Sequence, residues 1–374
     1  MIVCYFGTYR QNYSRNKNMI AAFRLAGVEV KECHVSLWHG VEDRVAVTSG
    51  GWKKPAFWGR VIKAYWQLLR KHKRIGDYDI LMVGYPGQFD VFLARILANR
   101  RHKPLVWDVF MSIYLVALER GLDQAKGSSV KLIRNAEAKA LKKPDMLIQD
   151  TQPYVDWLCQ TYGLTPQKFR LVPTGADDRI FQPQPETSQK DDLIRVLYYG
   201  TYIPNHGVDV ILGAAELLQA HTDILFEMIG EGPERAEAKR FAQQKGLNNI
   251  HFQGWVPQAE LPGLIAQADI CLGAFGQTPQ SLMTVHNKVY EGMAMGKPVI
   301  TGQSPAIAAQ FHSGEELLAC PRTSQGLAES ILNLKDDPEL RAKIGTNALR
   351  TFQERYSLQS LGELLLGYLH EFDR

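Results

Sequence analysis

Cysteine is scarce and scattered in this chain. Its 374 residues hold Cys4, Cys33, Cys159, Cys271 and Cys320, with no CxxC pair and no metal-ligand spacing. This argues against a disulfide scaffold, a zinc ribbon or a thioredoxin-like redox motif, and the thiols read as reduced. Long apolar runs are also missing. The longest nearly apolar stretch is 109–118, far short of the ~20 residues that span a bilayer. The opening Met1-Ile-Val-Cys-Tyr-Phe-Gly7 has neither a basic leader nor a small-residue cleavage site and reads directly as a strand. The expectation is a cytoplasmic protein that does not cross a membrane. Whole-chain charge is slight: 43 basic against 39 acidic residues leave a net +4, which selects no partner class. Two local absences say more. No Asp or Glu occurs from Cys271 to Tyr290, and none from Trp52 to Arg74.

What is present is ordinary for a globular α/β protein: 45% hydrophobic and 22% charged residues. The length suggests two domains. Short apolar strands alternate with helical patterns, which predicts parallel sheets with helices on both faces. Strands are expected near 2–6, 28–34, 80–83, 105–107, 146–148 and 170–172, then near 195–199, 225–229, 250–252, 270–272 and 298–301. Between these series lies a Pro- and Asp-rich linker, 173–192. The predicted fold class is α/β, with two facing Rossmann-like domains over 1–188 and 189–356 and a deep cleft between them. The last helix, about 357–374, is expected to pack back on the first domain. Ligands in such folds bind beyond the carboxyl ends of the strands. Gly7, Gly200, Gly230 and Gly232 fall at those ends, where a bare backbone lets a ligand approach. Pro233 is expected as the first helical residue after Gly232. Gly230-x-Gly232 lacks the third glycine of a dinucleotide fingerprint, so no nicotinamide site is expected there.

The segment Thr284-Val-His-Asn-Lys-Val-Tyr-Glu-Gly-Met-Ala-Met-Gly-Lys-Pro-Val-Ile-Thr301 concentrates the chemistry. It predicts a helix over about 287–295 and then a strand. A lysine in the first turn opposes the helix dipole, yet Lys288 sits there beside His286 in the acid-free stretch. An external anion held by helix amides and Lys288 resolves the conflict. Glu291 lies four residues after Asn287 and shares its face, one turn from the anion, where a carboxylate can grip ribose hydroxyls. The plainer alternative is a solvated lysine on an ordinary helix.

Five blocks carry a family resemblance: Val196-Leu-Tyr-Tyr-Gly-Thr-Tyr-Ile-Pro-Asn-His-Gly-Val-Asp209, Ile229-Gly-Glu-Gly-Pro233, Phe252-Gln-Gly-Trp-Val-Pro257, Ala268-Asp-Ile-Cys-Leu272, and the segment above through Ile300. With Val172-Pro-Thr-Gly-Ala-Asp177, their order and spacing resemble the GT-B glycosyltransferases, specifically the retaining enzymes of family 4. The resemblance implies transfer of a hexose-type sugar from a UDP- or GDP-sugar to a glycan or lipid-linked acceptor, with retention and without a metal. The donor would bind the second domain and the acceptor the first. Glu291 matches the second glutamate of the family's Glu-x7-Glu motif, but the first is replaced by Met283. Thr201 and His206 stand where the family usually has an arginine and a lysine on the diphosphate. The expected catalytic groups are Asp108, Lys288 and His286. The expected donor contacts are Glu291, Asn287, Gly200, Thr201, His206, Gly230, Gly232, Val256 and Gly7, with Arg10 near the acceptor. Fixed cations and amides would stabilise the departing diphosphate. Asp108, at a strand end, reads equally as a cap for the following helix. Two competing functions follow from the changed positions and from the fold: a catalytically silent nucleotide-binding subunit, and a nucleotide-sugar epimerase.

The second acid-free stretch, 52–74, interleaves Lys53, Lys54, Arg60, Lys63, Arg70, Lys71, Lys73 and Arg74 with Trp52, Phe57, Trp58, Tyr65 and Trp66. Val61, Ile62, Tyr65, Leu68 and Leu69 form one helical stripe, and Arg60, Lys63, Gln67, Arg70 and Arg74 lie on another. An aromatic, cationic helix suits an anionic lipid surface, so Trp58, Arg60, Lys63 and Arg70 are expected at the inner face of the cell membrane. The alternative is a core stripe with solvated charges. Nucleic acid is not expected, since no recognition motif accompanies the run.

Overall fold

The structure is a computed structural model that describes residues 1–37, 55–185 and 193–373, the side chains of 123–129 aside. Trp52, Lys53 and Lys54, and the expected domain boundary at 188/189, lie outside the described residues. The chain forms two compact units. The first holds Met1–Asp150, Val155–Pro173 and Leu361–Arg374; the second holds Thr151–Tyr154 and Thr174–Ser360.

In the first unit six strands run parallel: β1 (Ile2–Gly7), β2 (Glu29–His34), β3 (Ile80–Val83), β4 (Leu105–Asp108), β5 (Met146–Gln149) and β6 (Phe169–Leu171), in the order β2-β1-β3-β4-β5-β6. β3, β4 and β5 are buried along their whole length, as strands covered on both faces must be, and their sequences are accordingly almost continuous apolar runs. The C-terminal segment returns to this unit. The helix Leu358–Leu369 brings Gly362 so close to the helix Ser14–Leu25 that an added Cβ would stand 2.2 Å from the Ala22 carbonyl oxygen. Arg170 Nε donates to Glu371 at 2.7 Å, and Tyr368 donates to the Leu171 carbonyl at 3.3 Å.

The second unit has its own six parallel strands: β7 (Ile194–Tyr199), β8 (Ile224–Ile229), β9 (Ile250–Gln253), β10 (Ile270–Leu272), β11 (Val299–Gly302) and β12 (Leu318–Cys320), in the order β12-β11-β10-β7-β8-β9. β12 escaped the sequence reading because only three residues at the sheet edge belong to it. The order reverses between β7 and β10, and this switch point opens a crevice at their carboxyl ends. Successive side chains of β7 alternate between the two apolar layers. Val196 and Tyr198 join one with the helix Val208–Leu217. Leu197 and Tyr199 join the other with the helix Asn287–Ala294. One sequence expectation needs correction. Pro233 does not start a helix, because the turn after β8 continues through Glu234 and the helix runs Arg235–Lys245.

Candidate functional site

The site is built where β7 ends. Gly200 has φ +148° and Gly230, at the end of β8, has φ +131°. The two loops touch through bare backbone: a Cβ on Gly230 would stand 1.9 Å from the Gly200 carbonyl oxygen. Gly232, at φ +155°, also lies against backbone: a Cβ there would stand 2.5 Å from the amide nitrogen of Tyr202, which donates to the Glu231 carbonyl at 3.0 Å. Beyond Thr201 the chain makes a short turn, Pro204–His206, and Gly207 takes φ +64° to start the next helix.

Lys288 enters this corner from the first turn of the helix Asn287–Ala294 and is only 5% exposed. The solvated-lysine alternative is therefore excluded. Its Nζ lies 3.3 Å from His206 Nδ1 and 4.3 Å from the centre of the Tyr198 ring. It approaches Gly200 so closely that a Cβ there would stand 3.1 Å away. No carboxylate forms an ion pair with Lys288 among the described residues. Burial pulls its pKa down to about 7, opposed by the charge of Glu291. His206 lies against His286, ring centres 5.2 Å apart. Burial and then the charge of Lys288 lower both imidazoles, His206 well below its usual value and His286 to about 3. Both are neutral near pH 7. A charged Lys288 can only donate, so His206 presents the Nδ1 lone pair to it. The Tyr198 hydroxyl, 2.9 Å from the same nitrogen, donates to the Thr201 carbonyl at 3.0 Å.

Glu291 follows Lys288 by three residues and is buried as well. The Tyr199 hydroxyl donates to it at 2.9 Å. Burial raises its pKa to about 7, against the pull of that hydrogen bond and of Lys288. Adjacent tyrosines thus serve different groups: Tyr198 supports His206 and Lys288, and Tyr199 holds Glu291. Neither is among the residues expected from the sequence. Their signal was two hydroxyl-bearing rings at the end of a central strand, where aliphatic residues are usual. The structure brings together Lys288, His206, His286, Gly200 and Glu291. Asn287 opens the helix beside them, Thr201 lends its carbonyl, and Val256 is buried in the layer that contains Tyr199. Met283, at the position of the missing glutamate, is buried. Chemically, the corner combines a buried cation, the amino end of a helix and neutral imidazoles, which suits a phosphoryl anion. Among the described residues no group of three or more His, Cys, Asp or Glu side chains is placed to hold a metal ion.

The remaining expected residues lie in the first unit. Asp108 ends β4 fully buried, and Arg15 grips it through Nε at 3.0 Å and Nη2 at 2.9 Å. Arg15 also donates to the Val172 carbonyl at 2.7 Å. The capping alternative for Asp108 is overturned, because Ser112 caps the next helix, Ile113–Glu119. Gly7, at φ +133°, lets the buried Asp90 reach the Thr8 amide at 2.6 Å. Arg10 stacks on Tyr13 at 4.9 Å. Trp58, Arg60, Lys63 and Arg70 all lie on the helix Pro55–Arg74. No helix among the described residues is long and apolar enough to cross a membrane.

Comparison with known proteins follows the same division. The family model for Glycosyltransferase Family 4 matches residues 17–179, and that for Glycosyl transferases group 1 matches 179–351. The chain is 28% identical to an alpha-D-kanosaminyltransferase of Streptomyces kanamyceticus over 48% of its own length and 46% of the relative's. It is 24% identical to a lipopolysaccharide core biosynthesis glycosyltransferase of Rhizobium meliloti (strain 1021), over 52% and 54% of the two chains. The matched region thus spans about half the length of these curated relatives. Among solved structures, Anabaena HepE in complex with UDP aligns over 99% of both chains with a TM-score of 0.71 and 15% identity. That likeness concerns the fold.

Proposed function

The chain belongs to the GT-B glycosyltransferases, and from that premise we propose that it transfers a hexose-type sugar from a nucleoside-diphosphate sugar to a glycan or lipid-linked acceptor. One observation carries the reading: Lys288 is a buried cation that forms no ion pair among the described residues, set at a helix start beside a glycine-lined corner. The donor's diphosphate is the anion that completes it. As the glycosidic bond breaks, charge builds on the leaving diphosphate, and a fixed cation and aligned amides stabilise it there. His206 and His286 donate hydrogen bonds as neutral imidazoles. Glu291, steadied by Tyr199, takes the ribose hydroxyls. The UDP seen in Anabaena HepE supports a uridine donor, with GDP as the second base to test. Retention, independence of metal, an acceptor site on the first unit and residence at the inner membrane face belong to this proposal.

The test is a melting panel of the protein with UDP, GDP, ADP and TDP, followed by donor hydrolysis with the matching sugars. One nucleotide is expected to raise the melting temperature, and its sugar donor to be hydrolysed slowly. Lys288→Ala is expected to abolish that hydrolysis while sparing nucleoside binding. Glu291→Ala should weaken nucleotide binding by roughly 1.5–3 kcal/mol, the loss of hydrogen bonds to a charged group. A nucleotide shift without turnover of any donor would favour the silent-subunit reading. Undiminished hydrolysis by both variants would remove this corner as the donor site.

A further inference from the structure

We propose that the outward face of the helix Pro55–Arg74 is a docking surface for an anionic lipid bilayer. This deepens the reading of a lipid-linked acceptor, but its evidence is separate from the donor site. The helix is oriented by four inward residues. Ala64 and Leu68 are buried, and His72 Nε2 lies 3.0 Å from the Tyr78 hydroxyl. The Tyr65 hydroxyl donates to the buried Asp90 at 2.9 Å. These contacts turn a different set of residues outward. Trp58, Ile62 and Trp66 recur at every fourth position and are 51%, 68% and 53% exposed. Of the stripe expected from the sequence, Leu68 is buried and Val61, Tyr65 and Leu69 are half-buried, whereas Ile62 belongs to the exposed set. The exposed stripe is a second apolar face that folding leaves in water.

Two features select the occupant. The first is charge. Lys63, Arg70, Lys73 and Arg74 are exposed along the same helix, and no acid occurs anywhere in it. A protein partner's apolar patch would not require an all-basic flank, whereas a bilayer with anionic headgroups supplies its counter-charge along the whole length. Each cation near such a surface raises partitioning by about fivefold. The second is the kind of apolar group. Indole rings favour the headgroup level, where an apolar body and a polar edge are both satisfied. Arg70 stacks on Trp66 at 3.9 Å, which keeps a cation beside the ring that enters the interface. The helix would lie in the bilayer plane, stripe inward to the acyl chains and cations at the headgroups.

The experiment is vesicle flotation of the full chain with phosphatidylcholine alone and with equimolar phosphatidylcholine and phosphatidylglycerol. Binding is expected only to the second, weakening as salt rises. The triple change Trp58→Ser, Ile62→Ser and Trp66→Ser is expected to reduce binding at least about tenfold, since its side chains are already exposed in the free protein. So is the pair Lys63→Glu and Arg70→Glu, and both variants should melt like the unaltered chain. Failure to float with anionic vesicles, or equal flotation of all variants, overturns the proposal. So does selective binding to a duplex oligonucleotide, or a dimer that the triple change dissociates. A chain that floats but binds no nucleotide leaves this surface standing and removes the donor-site reading instead.

Discussion

Lys288 carries its charge in a place where charge is expensive. Burying an ammonium without an ion pair costs several kcal/mol, and burial correspondingly lowers its pKa to about 7. The same compromise appears on Glu291, pushed up to about 7 by burial. A diphosphate would reverse the compromise at Lys288 by favouring the ammonium. Above about pH 7 the free site loses that proton, so binding must take one up, and affinity should fall by up to about tenfold per pH unit. Calorimetry in buffers of different ionisation heat would detect the uptake. In Lys288→Ala the slope should disappear; an unchanged slope would assign it to another group. Asp108 shows the opposite solution. Its charge is matched by Arg15 at 2.9 Å in full burial, so either partner alone would be left uncompensated.

At the level of elements, the corner depends on two loops meeting without side chains. Gly230 occupies φ +131°, and any Cβ there would collide with the Gly200 backbone. Gly230→Ala therefore faces both a strained dihedral and a backbone clash, and should lose more than about 2 kcal/mol of stability along with the nucleotide response. Gly263 provides the control. It lies inside the helix Leu261–Gln267 with open space around its missing Cβ, so Gly263→Ala should be neutral or stabilising by about 0.4–1 kcal/mol. Denaturant titration of the two variants tests the contrast. If Gly230→Ala binds nucleotide normally, the tight approach of the loops is not needed for the site. The strand β7 explains the division of labour nearby. Because its side chains alternate, Tyr198 and Tyr199 are neighbours in sequence but belong to different layers.

At the scale of the whole molecule, the chain visits the second unit and returns to the first for its last residues. Two units with separate cores should melt in two transitions. A ligand that binds only one unit stabilises that unit by mass action, about 2.7 kcal/mol at a hundredfold excess over Kd. The matching nucleotide should raise one transition, and Gly362→Val should lower the other, since a larger side chain there collides with the Ala22 carbonyl. Scanning calorimetry reads both. If both changes moved the same transition, the C-terminal helix would be stabilising the nucleotide unit instead.

Local pattern alone determined the alternation of strands and helices, the doubled Rossmann-like fold, a helix over about 287–295 and the anomaly of Lys288, because apolar periodicity, glycine placement and a missing counter-ion are all local properties. The corner that surrounds Lys288 was only partly legible. His206 was visible as a changed family position, but its contact with Lys288 spans 82 residues and depends on the strand order β10-β7. The hold of Tyr199 on Glu291 spans 92 residues and depends on which face of β7 points to which helix. Arg15 as the partner of Asp108 needed the register of β1 against β3 and β4. For the helix Pro55–Arg74, composition showed a basic aromatic segment, but only the packing of Ala64, Leu68 and His72 decided which apolar stripe was core and which met solvent. A helix can rotate about its axis without changing its sequence, and tertiary contacts fix that rotation.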